Sequence, residues 1–165
     1  MPQPDVYLSV IIPVYNEAER CPQTLRRLHE YLARSSFNYE ILIVLDGPRD
    51  GTREVLDRIS GEISNLRIID RPVNRGKGFT VREGMLEARG QIRLFTDADN
   101  STDIAHFDQM KTLFDEGCDL VIASRNPKDV AGACQTVSQR WYKRSIGKLG
   151  NLLVQRVAVP GIWDT

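Results

Sequence analysis

Five short apolar runs, each trailed by a polar cluster, constrain this chain more than any other feature. Leu8–Ile12 ends at Pro13 and Glu40–Leu45 ends at Asp46-Gly47; Leu66–Ile69, Ile92–Phe95 and Asp119–Ala123 follow. Short apolar runs bounded by Gly, Pro or Asp read as buried strands. Between them, apolar residues recur at helical spacing: Leu25, Leu28, Tyr31 and Leu32; Val55, Leu56 and Ile59; Val81, Met85 and Ala88; Phe107, Met110, Leu113 and Phe114. Strands alternating with helices across short gaps predict an α/β fold with a mostly parallel central sheet flanked by helices. Right-handed crossovers place the C-terminal end of every strand on one edge. The polar clusters should therefore converge along that edge, where open α/β sheets bind their ligands.

The 165 residues suffice for one domain with a real core, read here as spanning 1–165. Lys plus Arg equals Asp plus Glu at 22 each, so global charge points to no nucleic-acid partner. Charge is uneven, however: from Val130 to Trp163 there is no acid, while Arg140, Lys143, Arg144, Lys148 and Arg156 are present. Tyr142, Ile146, Leu149, Leu153 and Val157 fall beside them at helical spacing, a pattern that suits either a helix packed on the sheet or one resting on an anionic membrane. Cys21, Cys118 and Cys134 are odd in number and lack metal-ligand spacing, which fits reduced thiols in the cytoplasm. Met1–Asp5 lacks the basic and apolar regions of a signal peptide. No run reaches the ~18 apolar residues that span a bilayer.

Asp97-Ala98-Asp99 directly follows the fourth run. Two carboxylates one residue apart at a strand end can address one hard cation, Mg2+ or Mn2+, which keeps sites open for substrate phosphates. In Pro13-Val-Tyr-Asn-Glu17, Tyr15 can stack on a base, and Asn16 and Glu17 suit either a helix cap or a nucleoside contact. Asp46, at the end of the second run, can accept from a ribose or base; Asp50 and Thr52 suit the start of a helix. Asn74-Arg-Gly-Lys-Gly78 precedes a helical pattern, and Lys77 and Arg75 add positive charge there. It lacks the third glycine of the dinucleotide fingerprint. Asn100, Ser101 and Thr102 are candidate caps, Arg125 after the fifth run can meet an anionic acceptor, and His29 and His106 read as structural.

In this order, Ser9–Glu17, Ile43–Thr52, Asn74–Gly78 and Asp97–Asp99 resemble the family 2 glycosyltransferases with the Rossmann-like GT-A fold, and within them the polyprenyl-phosphate sugar synthases of the dolichyl-phosphate β-glucosyltransferase type. The resemblance implies an inverting transfer of a hexose, glucose first, from UDP-glucose to a polyprenyl or dolichyl phosphate at a membrane surface, on its cytoplasmic face. It implies that Pro13, Tyr15, Glu17 and Asp46 hold the donor nucleoside and that Lys77 lies near the diphosphate or base. Asp97 would approach the ribose or sugar, Asp99 would bind the metal, and Arg125 would face the acceptor phosphate. Asp97, Asp99 and Arg125 form the expected catalytic set.

Two departures matter. Leu45 stands where relatives often carry a second acid beside Asp46, which leaves the choice of donor open. The chain ends at Asp164-Thr165, where relatives continue into a further motif, so the domain is expected to be incomplete at its C-terminus. Three alternatives stay open: a GDP-mannose-dependent mannosyl relative, a family 2 transferase with a hydroxyl acceptor, and a non-catalytic nucleotide-binding fragment.

Overall fold

The computed structural model describes residues 6–124. Arg125, Cys134 and the basic stretch from Arg140 to Arg156 lie outside the described residues. The chain divides into two compact units, Met1–Asp108 and Gln109–Thr165, and the sheet and cleft described below belong wholly to the first.

In chain order the elements are β1 (Leu8–Val14), α1 (Cys21–Leu32), β2 (Tyr39–Asp46), α2 (Thr52–Ile59), β3 (Leu66–Arg71), α3 (Lys77–Glu87), β4 (Ile92–Phe95), a 3-10 turn (Ile104–His106) and α4 (Phe107–Asp115). The four strands form a parallel sheet in the order β3-β2-β1-β4. Burial explains the sequence pattern. β1 and β2 are central and covered on both faces, so they read as unbroken apolar runs, whereas the flanking β3 and β4 are only partly buried.

The chain winds from β1 through α1 to β2, then through α2 to β3, always in one direction. It then reverses, and α3 carries it back across the sheet to β4. Right-handed crossovers put α1 and α2 on one face and α3 on the other. The seat of α3 is built from small residues. Thr80 and Gly84 are its buried positions, and a Cβ on Gly84 would lie 2.4 Å from Ile11 Cγ2. Ile11, Leu42, Val44 and Ala88 form the core there, with Ile69 and Met85 at its margin. Of the expected face, Ala88 belongs to this core, Met85 packs against it and Val81 is half-buried beside it.

Three sequence expectations change. β1 continues through Pro13 to Val14. The Ile11 carbonyl accepts from Thr96, so the odd-numbered groups of β1 face β4. β4 pairs only with Leu8–Ile11, and the donor that Pro13 lacks falls beyond that ladder. The expected fifth strand, Asp119–Ala123, is not a strand: no described strand pairs with it, and Leu120 and Ile122 are exposed. Asn16 does not cap α1, whose N-cap is Arg20. Instead Asn16, at φ 53°, accepts the Arg49 amide through its side-chain oxygen.

Candidate functional site

Strand order reverses between β1 and β4, and ligand crevices of open α/β sheets lie at such a switch point, beyond the strand C-termini. A cleft of about 410 Å³ opens there. Its lining comes from four separated segments: Pro13, Val14, Tyr15 and Glu17 after β1; Asp46 at the end of β2; Asn74, Gly76, Lys77 and Thr80 at the start of α3; and Asp97, Ala98 and Asp99 after β4. Pro13, Tyr15, Glu17, Asp46, Lys77, Asp97 and Asp99, expected from the sequence, therefore share one cavity. Arg125 lies outside the described residues.

Local hydrogen bonds hold each wall. Thr24, buried on α1, donates to the Ala98 carbonyl at 2.7 Å and pins the Asp97–Asp99 turn. Asp99 accepts the Ser101 amide at 3.0 Å, so Ser101 serves this turn rather than capping the next helix. Asp103, which the sequence reading passed over, accepts from Ala105 at the start of the 3-10 turn. Burial pushes the Asp99 carboxyl up, but the Ser101 amide and hydroxyl, with the Arg20 guanidinium nearby, outweigh it and hold Asp99 below the usual carboxylate range. Across the cleft, Lys77 Nζ lies 2.5 Å from Asp97, and both side chains are largely solvent-accessible.

The β1–α1 wall is tied to the β2–α2 loop. The buried Thr52 hydroxyl accepts the Glu17 amide at 2.9 Å and donates to Asp50, which also accepts the Ala18 and Thr52 amides. Burial raises the Asp50 carboxyl, yet these donors together bring it below its ordinary value. Arg20 grips Glu17 through Nη2 at 2.8 Å and Nε at 2.7 Å. Tyr15, 41% exposed, leaves a ring free to stack.

The sequence signal missed two residues behind the walls. Thr24 sits in the α1 pattern as one polar residue beside apolar ones, which marks it as buried but not as a tether. Arg71 at the end of β3 reads as an ordinary exposed strand end, yet its side chain is only 11% exposed and meets Asp46 at 2.7 Å.

A hard divalent cation fits Asp99, which lines the cleft, presents hard oxygen and is held ionised. Among the described residues no three His, Cys, Asp or Glu side chains group as a cation cage. One or two carboxylates plus substrate phosphates are how Mg2+ is commonly held.

Known proteins place this arrangement. Residues 9–160 match the family model for glycosyl transferase family 2. A dolichyl-phosphate beta-glucosyltransferase of Drosophila melanogaster is 39% identical over 98% of this chain and 53% of its own length. One from Trichomonas vaginalis is 33% identical over 99% of this chain and 52% of its own. The chain thus spans about half the length of these curated relatives. Among solved structures, a mannosyltransferase from Pyrobaculum calidifontis in complex with GDP-Man and Mn2+ superimposes with a TM-score of 0.50 at 26% identity, covering 59% of this chain and 30% of that one. The four-segment cleft at the switch point of a parallel sheet, together with these matches, shows that the chain belongs to glycosyl transferase family 2 and carries its GT-A fold.

Proposed function

We propose that the protein transfers a hexose, glucose in our reading, from UDP-glucose to a polyprenyl phosphate, with inversion at the anomeric carbon. The observation that carries this reading is the convergence of Tyr15, Glu17, Lys77, Asp97 and Asp99 on one cleft from segments far apart in the chain. The names of the relatives from Drosophila and Trichomonas supply the sugar and the acceptor class.

Tyr15 offers its ring to the donor base, and Glu17, held by Arg20, borders the same wall. Lys77 exchanges Asp97 for the donor diphosphate, which frees Asp97 toward the ribose or sugar. Asp99 would hold Mg2+ or Mn2+, which when bound would offset charge on the departing nucleoside diphosphate. An acceptor phosphate oxygen bonds to the anomeric carbon as the bond from that carbon to the diphosphate oxygen breaks, and UDP leaves. A phosphate monoester has its second pKa at about 6, so it is already anionic near neutral pH and needs no general base. Arg125 faces the acceptor phosphate in this reading. A lipid-linked acceptor puts the reaction at a membrane surface, on its cytoplasmic side, and the basic stretch from Arg140 to Arg156 complements such a surface. Among the described residues no helix is long and apolar enough to cross a membrane.

Calorimetric titration of UDP-glucose and GDP-mannose, each with and without Mn2+, tests the reading. Metal-dependent binding of UDP-glucose, lost in Asp99→Asn, supports it. Preference for GDP-mannose, the donor in the Pyrobaculum structure, keeps the chemistry and changes the sugar. Donor affinity unchanged in Asp99→Asn removes the metal role. Donor binding by a full-length relative that transfers to neither lipid phosphate nor a hydroxyl would leave a nucleotide-binding module.

A further inference from the structure

Asp46 borders the cleft, but the chain itself already occupies most of its carboxylate. Oδ1 accepts the Arg75 amide at 2.8 Å and Arg71 Nη2 at 2.7 Å, and Oδ2 accepts the Gly76 amide at 2.8 Å. A carboxylate offers about four acceptor positions, and three of them are turned to the chain.

Arg71 is the nearly buried partner in this arrangement. Nη2 also donates to Thr80 Oγ1 at 2.5 Å, and the Thr80 hydroxyl in turn donates to the Gly76 carbonyl at 3.0 Å. Nε faces Glu83 on α3 at 3.1 Å. The guanidinium lies over the Phe79 ring, 4.9 Å from its centre, and Arg75 lies 4.7 Å from the same centre. Every one of these contacts runs to Asp46, to the turn before α3 or to the first two turns of that helix. The turn also presses on Gly47, where a Cβ would come within 2.7 Å of the Asn74 amide nitrogen.

A buried ion pair adds little net stability once desolvation is counted, so the main consequence of the pair is geometric.

We infer that Arg71 is a positioning residue: acting through Asp46, it clamps the Asn74–Gly76 turn and so fixes Lys77 and the start of α3 at the cleft. Asp46 then holds a wall of the cleft. The link to phosphate binding rests on the donor reading; the clamp itself does not.

Amide hydrogen exchange, followed by NMR on the whole chain, tests the clamp in Arg71→Met and Arg71→Lys. In Arg71→Met the Arg75 and Gly76 amides exchange about tenfold faster or more, while the amides of β1 and β2 are unchanged. Arg71→Lys falls between, because an ammonium has no second nitrogen to face Glu83 while the first holds Asp46 and Thr80. UDP binding weakens about tenfold in Arg71→Met, as expected for a displaced charge-assisted contact. Uridine, which has no phosphate, binds as it does to the wild type. Unchanged exchange at Arg75 and Gly76 overturns the clamp, and equal weakening of uridine and UDP overturns its directional effect on the phosphate side. If Arg71→Met does not fold, Thr80→Val, which removes the hydroxyl between Arg71 and Gly76, is read by the same two amides. A wild type that binds no UDP ends the donor reading, and the exchange result still decides the clamp.

Discussion

Both ends of the parallel sheet are rich in charge, yet they use it differently. At the N-terminal end, Glu40 is buried between strands. One oxygen accepts the Ser9 hydroxyl at 2.6 Å and the Arg89 amide at 2.7 Å, and the other meets Arg67 at 3.2 Å. Ser9 in turn accepts the Gly90 amide at 2.7 Å. This network ties the starts of β1, β2 and β3 to the turn before β4 and leaves no acceptor turned to solvent. At the C-terminal end, Lys77 and Asp97 pair in the open, 59% and 42% exposed, and Tyr15 and Asp99 border the same cleft. A charge saturated by its own chain organises strands, whereas a charge paired in water can change partners at little cost.

The sharpest way to break the comparison is Glu40→Ala. It strands the Ser9 hydroxyl and the Arg89 amide and takes one partner from Arg67, which keeps the Glu87 carbonyl at 2.6 Å. Leaving a buried donor unsatisfied typically costs about 1–3 kcal/mol. Urea unfolding should show that loss while donor affinity, measured under native conditions, stays near the wild-type value. A large drop in donor affinity without a loss of stability would reverse the roles assigned to the two ends.

The sequence disclosed the cleft end better than the opposite one, for a physical reason. Residues that face a ligand follow strands as short polar clusters, and a cluster after an apolar run is visible in one dimension. Seven expected residues, from Pro13 to Asp99, accordingly line one cavity. Glu40 looked like the polar start of a strand, because its partners are 27 to 49 positions away. Arg71 and Thr24 were equally silent, since a lone polar residue announces neither its burial nor its partner. The four strands of the sheet were legible from their apolar runs. The fifth run was misread because hydrophobicity alone does not make a strand: it needs a neighbour to pair with, and Leu120 is 77% exposed. Pro13 misled in the opposite direction, since proline ends a ladder only where its missing donor would be used.

Lys77→Met sharpens the comparison from the functional side. The pair with Asp97 is exposed, so its removal should leave the melting temperature nearly unchanged. Affinity for UDP-glucose should fall about tenfold, the scale of one charge-assisted contact to phosphate. Uridine affinity should not move. If UDP-glucose binds as before, Lys77–Asp97 is an ordinary surface pair like Arg26–Glu62, and the phosphate contact lies elsewhere in the cleft.

The smallest effect concerns Asp50, which lies between the two behaviours: exposed, yet engaged by the Thr52 hydroxyl and by the amides of Thr52 and Ala18. Burial raises its carboxyl, but these hydrogen bonds bring it below its ordinary value in the fold. The folded chain therefore binds a proton there less readily than the unfolded chain does. The stability this contributes is present above the unfolded value of about 3.9 and is lost as pH falls through the lower folded value. Asp50→Asn should melt below the wild type at pH 6, and the gap should narrow below about pH 4. The exchange of the Glu17 and Ala18 amides should quicken in the same variant, because Thr52 and Asp50 are their acceptors. A gap that stays constant from pH 6 to pH 3 would mean that the carboxylate charge contributes nothing beyond the shape of the side chain. The loop joining Asp46 to α2 would then be held by the buried Thr52 and by the bond from the Arg49 amide to Asn16.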